Sequence, residues 1–150
     1  MKITHATPSD HAAIAAFYAE AGYGAALDPA DMVIIAEENG QLIGAVRLCA
    51  EHGVTVLRGM QIRRDHQRQG IGTRLLAACL PHLNQREAYC LPYAHLASFY
   101  GTAGFAMVDS AALPDFLAAR LASYLAKGQE VIAMRRPSPA TFCLDARLAT

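Results

Sequence analysis

Apolar residues recur along this chain with two periods, and the switches between them fall at glycine, proline and asparagine. The opening "MKITHAT" reads as a short strand, and Thr7-Pro8-Ser9-Asp10 as a helix start, with Thr7 as N-cap, Pro8 at the first helical position and Asp10 near the positive end. Ile14, Phe17, Tyr18 and Ala21 then follow at i, i+3, i+4 and i+7, which predicts one amphipathic helix stopped by Gly22 and Gly24. "MVIIAEENGQLIGAVRLCAEHGVTVLRGMQI" carries three β-rich runs. Asn39-Gly40 suits a two-residue type I′ turn between the first two, and His52-Gly53 can close the next connection, so a three-strand meander is predicted.

A second helix follows, with Ile71, Leu75, Leu76, Cys79, Leu80 and Leu83 as its stripe and Pro81 and Asn84 marking its end. "EAYCLP" is a further strand. Leu96, Phe99 and Tyr100 have helical spacing, broken at Gly101 and Gly104, and "FAMV" can be a strand. "LPDFLAARLASYLAKG" opens on Pro114 and Asp115, carries Leu117, Leu121, Tyr124 and Leu125 on one face and closes at Lys127-Gly128. "EVIAMRR" is the last strand. The order β, α, three β, α, β, α, β, α, β calls for a mixed sheet covered by helices, an α+β arrangement. No repeat or linker interrupts residues 1–136, which read as one unit. Residues 137–150 form a tail with no assignable element.

Composition narrows the function classes. The 150 residues include 13 basic and 13 acidic ones, so no broad field attracts nucleic acid or an anionic membrane surface. No apolar run approaches the roughly 18 residues of a membrane span, and the start lacks a signal-peptide core, which places the chain in the cytoplasm. Cys49, Cys79, Cys90 and Cys143 are far apart, with no C-x-x-C pair and no histidine at metal spacing. They read as small core residues, with no metal expected.

The chemistry concentrates at "QRQGIGT", residues 67–73, where a strand gives way to a helix. A helix start offers unpaired N–H groups and partial positive charge, and glycines let a phosphate approach that backbone. The bland alternative is a tight strand-to-helix turn. A Walker A loop is absent, and Gly70-Ile71-Gly72-Thr73-Arg74-Leu75 lacks the third small residue of a dinucleotide fingerprint. It also follows a meander, where that fingerprint opens a βαβ unit.

"MQIRRDHQRQGIGTRLL" resembles motif A of the GNAT superfamily of acetyl-CoA-dependent N-acetyltransferases, whose signature Q/R-x-x-G-x-G/A is filled by Gln67 to Gly72. "LPYAHLASFYGTAGF" resembles its motif B, and the order of elements matches over residues 1 to about 136. The resemblance implies the acyl-CoA N-acyltransferase fold: mostly antiparallel N-terminal strands, a parallel pair splayed at the coenzyme site, and helices on both faces. It implies that backbone amides of Arg68, Gln69, Gly70, Ile71, Gly72 and Thr73 hold the coenzyme A pyrophosphate. Met60, Gln61 and Ile62 would pair with the pantetheine arm. Tyr93 stands where many members have an Asn that contacts the coenzyme. Ile62-Arg63-Arg64 departs from the family's V-x-P and puts two cations near the phosphates.

Acyl transfer to an amine must expel a thiolate, and a proton donor beside the sulfur lowers that barrier. In the family this acid sits in a short helix after the fifth strand, which matches Tyr100; helical spacing to Leu96 and Phe99 would equally suit a core aromatic. An alkyl ammonium with a pKa of about 10.4 is neutral in only about one molecule in 10³ to 10⁴ at pH 7, so a base or a water relay is needed. Glu37, Glu38, Glu51 and His52 lie on or beside the central strands, and nothing in the sequence selects among them.

The acceptor is an amine on a small metabolite, antibiotic, peptide N-terminus or protein lysine. Tyr18, Glu20, Tyr23, Asp28 and Asp31 are the residues available to attract it, though acidic residues on a loop are usually just solvated. The tail from Ser138, with Phe142 and Leu144, either covers the site, packs on a second subunit of a homodimer or is a disordered end. The resulting expectation is an N-acetyltransferase with acetyl-CoA as cosubstrate and direct attack by the amine. The alternative is a non-catalytic acyl-CoA-binding sensor or partner-binding domain.

Overall fold

Two tight turns build the first half of the molecule. In the computed structural model, which describes residues 1–24 and 27–138, Asn39 and Gly40 have φ of 53° and 76°, and His52 and Gly53 have 48° and 82°. Both pairs are the left-handed conformations that a type I′ hairpin requires. They join β2 (Met32–Glu38), β3 (Gln41–Glu51) and β4 (Val54–Ile62) into the expected meander, and β1 (Lys2–His5) adds antiparallel to β2.

Helix α1 (His11–Glu20) follows a single 3-10 turn at Pro8–Asp10. The Thr7 amide donates to Asp10 Oδ2 at 2.8 Å, so the aspartate closes the helix start as its position predicts. Ile14, Phe17 and Tyr18 are the buried stripe and pack on Ile35 and Ala45. Ala21, the fourth position of that stripe, is exposed beyond the helix end. Helix α2 (Ile71–Leu83) lies on the other face: a side chain added at Gly44, next to Ala45 in β3, would meet Leu75 Cδ1 at 3.1 Å. Pro81 lies in the last turn of α2, which closes at Leu83, just before Asn84, as the sequence suggests.

The chain divides into two compact units, Met1–Pro81 and the residues from His82 onward. In the second unit, β5 (Ala88–Cys90), β6 (Ala106–Met107) and β7 (Met134–Arg136) form an antiparallel set in the order β5, β7, β6. Helix α3 (Ala97–Gly101) continues a 3-10 turn at Ala94–Leu96, and α4 (Asp115–Ala126) buries Leu117 and Leu121. Arg136 joins these pieces: Nε donates to Ala103 O at 2.7 Å, Nη1 to Leu83 O at 2.9 Å and Nη2 to Asn84 Oδ1 at 2.7 Å. It satisfies carbonyls at and just after the ends of two helices, which have no intrahelical partner. Seven strands are present among the described residues, and the tail from residue 139 lies outside them.

Candidate functional site

The glycine-rich junction has an open backbone. Arg68 has φ of 64° and Gly70 of 79°, so the chain turns sharply before α2, and a side chain added at Gly70 would have nothing within 4 Å. The Arg74 amide donates to Gly70 O at 3.1 Å, which starts the helical ladder. The amides of Ile71, Gly72 and Thr73 precede it, so helix geometry leaves them available to a ligand. Residues 67–70 and Thr73 are exposed, while Ile71 is buried and pins the helix to the sheet. A cleft of about 650 Å³ opens nearby, lined by Phe17 and Glu20 of α1, by Gln61 and Ile62 at the end of β4, and by Arg63 and Gln67. The first unit thus brings the end of β4 and the start of the loop to one cleft, with Arg63 and Arg64 on its wall.

Upstream, β4 contains a bulge that sequence reading missed. Ala45 pairs with Gln61 but Arg47 pairs with Arg58, so β4 carries one extra residue around Gly59 and Met60. Gly59 has φ of 65°, and its carbonyl accepts a 2.8 Å hydrogen bond from the Tyr18 hydroxyl. A Cβ there would lie 3.1 Å from Tyr18 Oη, 3.2 Å from Tyr23 Cζ and 3.3 Å from Arg47 Cδ. Behind them Arg47 Nη2 meets Asp31 Oδ2 at 2.5 Å and Nη1 donates to Tyr23 Oη at 3.0 Å; the side chains of Arg47 and Asp31 are 3% and 7% exposed. Burial works against the guanidinium's charge, yet the hydrogen bond to Asp31 and the nearby Cys49, Tyr23 and Asp31 charges together outweigh it and hold the arginine above its ordinary value. Burial pushes the Tyr18 phenol well above its usual range, so Tyr18 is a fixed donor. Tyr18 and Asp31, two of the residues considered for attracting a cationic acceptor, are therefore engaged within the protein. Glu20 keeps its place on the cleft wall.

The base candidates separate. Glu37 sits opposite Lys2 on β1, Glu51 is 4.0 Å from Arg58, and His52 occupies a turn tip. Glu38 Oε2 is 3.1 Å from Nε2 of His66, whose Nδ1 is 3.0 Å from Asp65 Oδ1. None of the four lines the cleft. In the second unit, Tyr93 precedes the 3-10 turn, is 48% exposed and pairs across an isolated bridge with Val131. Tyr100 is 5% exposed in α3, edge-on to Phe99 and Phe105.

Cys49, Cys79 and Cys90 are free and buried, and burial pushes the Cys49 and Cys79 thiols up to about 12. Cys143, Phe142 and Leu144 lie outside the described residues. Among the described residues no cluster of His, Cys, Asp or Glu is grouped to hold a metal, and no helix is long and apolar enough to cross a membrane.

A family model described as an acetyltransferase (GNAT) domain matches residues 5–117. No curated protein matches the chain in sequence. Among solved structures, an acyl-CoA N-acyltransferase from Pseudomonas aeruginosa superposes with a TM-score of 0.65 at 21% identity, over 91% of this chain and 99% of that one. An aminoglycoside 6′-N-acetyltransferase complexed with coenzyme A gives 0.63 at 15%, over 91% and 97%. N-acetylglutamate synthase from Neisseria gonorrhoeae, complexed with coenzyme A and N-acetyl-glutamate, gives 0.61 at 19% over 91% of this chain, which spans only 35% of the synthase. At such identities the likeness is one of fold, the mixed α+β fold of acyl-CoA N-acyltransferases. With the family model covering most of its length, the chain belongs to the GNAT family of acetyltransferases.

Proposed function

We propose that the chain moves the acetyl group of acetyl-CoA to a primary amine by direct attack, with Tyr100 as general acid. The observation that carries the coenzyme half is the Gly70 turn: a left-handed glycine with open space where a Cβ would stand, immediately before the thirteen-residue helix α2. Amides of residues 68–73 are the donors for the diphosphate, and Met60, Gln61 and Ile62 supply backbone groups for the pantetheine arm. Gln61 and Ile62 line the same cleft as Gln67. Tyr93, half exposed, is a further coenzyme contact.

In the reaction the amine nitrogen bonds to the thioester carbonyl carbon, the tetrahedral oxyanion collapses, and the carbon–sulfur bond breaks. The departing thiolate takes the Tyr100 phenolic proton, and the nitrogen's surplus proton leaves through solvent and restores the phenol. The products are an acetamide and free coenzyme A. Tyr100 lies in the short helix α3 after β5, edge-on to Phe99 and Phe105, the position from which the resemblance assigns the acid. Water is the natural relay for the incoming proton, since Glu38 and Glu51 face basic partners.

The acceptor is an amine carried by a small molecule or by a protein. The test is mass-spectrometric: acetyl-CoA is incubated with pooled amines, and the ratio of free coenzyme A to acetyl-CoA is followed against a no-amine control. Turnover should appear with one pool, and Tyr100→Phe should lower it about 10²-fold while coenzyme still binds. Coenzyme binding without turnover in any pool would make the chain an acyl-CoA sensor, and unchanged turnover in the variant would remove Tyr100 from the mechanism.

A further inference from the structure

His66 is held between two carboxylates from different parts of the first unit. Its Nε2 lies 3.1 Å from Glu38 Oε2, at the end of β2, and its Nδ1 lies 3.0 Å from Asp65 Oδ1, in its own turn. Carboxylates only accept, and a neutral imidazole donates through one nitrogen. Both contacts are therefore hydrogen bonds only when the ring carries two protons.

The place of this clamp on the chain gives it a consequence. Strand β4 ends at Ile62, the Arg63 amide still donates to Ile43 O at 2.8 Å, and α2 begins at Ile71. The exposed residues between them include Arg68 with φ of 64°, a conformation that L side chains adopt only when the surroundings impose it. Among the described residues, Gln67 Nε2 donates to Ile62 O at 3.2 Å and His66 meets Glu38, and both contacts tie this segment down. The first is local, reaching back five residues; the second crosses to the β2 end of the meander, 28 residues away.

We infer that His66 is a positioning residue for the phosphate loop: its contacts to Glu38 and Asp65 anchor the segment entering residues 67–73 to β2, and loss of the Glu38 contact loosens the loop and weakens coenzyme binding. This rests on the coenzyme reading above. The charged groups around the ring are Glu38 from β2, Asp65 from its own turn, Arg63 at 3.6 Å from Asp65, and the neighbouring Arg64. The hydrogen bond from His66 also holds the Asp65 carboxyl below its ordinary range.

Dephospho-coenzyme A is the probe, because it offers the loop a diphosphate without a phosphate monoester. Its Kd is measured calorimetrically for the wild type, His66→Gln, Glu38→Gln and the double variant, with Tm taken alongside. Each single variant should bind about tenfold more weakly, as expected for the loss of one charge-assisted bond, and the double variant should be no weaker than either. Single variants that bind as the wild type does would overturn the anchor while leaving the coenzyme site intact, as would a fall in Tm with Kd unchanged. A wild type that does not bind would overturn the coenzyme reading and the anchor together.

Discussion

Gly59 and Gly70 have nearly the same backbone conformation, with φ of 65° and 79°, and opposite surroundings. At Gly59 the direction of the missing side chain is filled by Tyr18, Tyr23 and Arg47; at Gly70 it is empty to 4 Å. The first glycine lets the protein pack against itself, and the second leaves backbone uncovered at the start of a helix. Both belong to the route from β4 to α2, so one short stretch holds a glycine required by the core and a glycine suited to a ligand. A left-handed glycine becomes evidence of function only once its neighbours are known.

The largest predicted effect falls on the packed side. Asp31→Asn removes the carboxylate 2.5 Å from the buried Arg47 guanidinium, a loss of about 3–5 kcal/mol. Thermal unfolding should show a drop of about 10 °C, and a change under 2 °C would mean that the pair carries no weight. Next comes the comparison itself. Gly59→Ala combines a left-handed alanine, about 1–2 kcal/mol, with overpacking of about 1–3 kcal/mol, whereas Gly70→Ala incurs only the first. The Tm of Gly59→Ala should be the lower, and the coenzyme Kd of Gly70→Ala should rise about tenfold as a methyl group enters the space for phosphate. Equal Tm losses with unaltered affinity would erase the distinction.

The smallest effect sets a half-exposed ion pair against the buried one. Hydrogen bonds from Arg135, at 2.6 Å, and from Tyr89 hold the Glu87 carboxyl below its ordinary value of 4.5. The folded state then binds the proton less readily than the unfolded one, so this stabilisation is full above pH 4.5 and is lost as the pH falls further. With the side chains 34% and 27% exposed, it amounts to about 1 kcal/mol or less. Glu87→Gln should flatten the Tm against pH between about pH 5 and 3; an unchanged slope would mean that other carboxylates dominate.

What the sequence revealed follows from the range of each signal. The turns at Asn39-Gly40 and His52-Gly53, the buried face of α1 and the Gln67 to Gly72 pattern are local, written in residues a few positions apart; the turns and three of the four α1 stripe positions fall where expected, and the pattern lies between β4 and α2. Gly59 was invisible because a bulge is a mismatch between two strands, which no single strand records. Arg47 stands out as a lone cation in "LIGAVRLCA", but its partner Asp31 lies 16 residues earlier across a turn region. His66 likewise meets Glu38 only after the meander has folded. Pro81 and Asn84 mark the end of α2, which closes at Leu83. The roles proposed for Tyr93 and Tyr100 rest on the likeness to motif B, since spacing suits a core aromatic equally well.

The sequestered thiols give the molecule a built-in reporter. Maleimides and disulfide dyes react with thiolates, and Cys49, Cys79 and Cys90 are shielded from solvent, with all three also held back because burial raises their thiols. Modification at these three positions therefore waits on exposure of the interior. Followed peptide by peptide, its rate times the breathing of each unit separately, with Cys49 and Cys79 reporting on the first and Cys90 on the second.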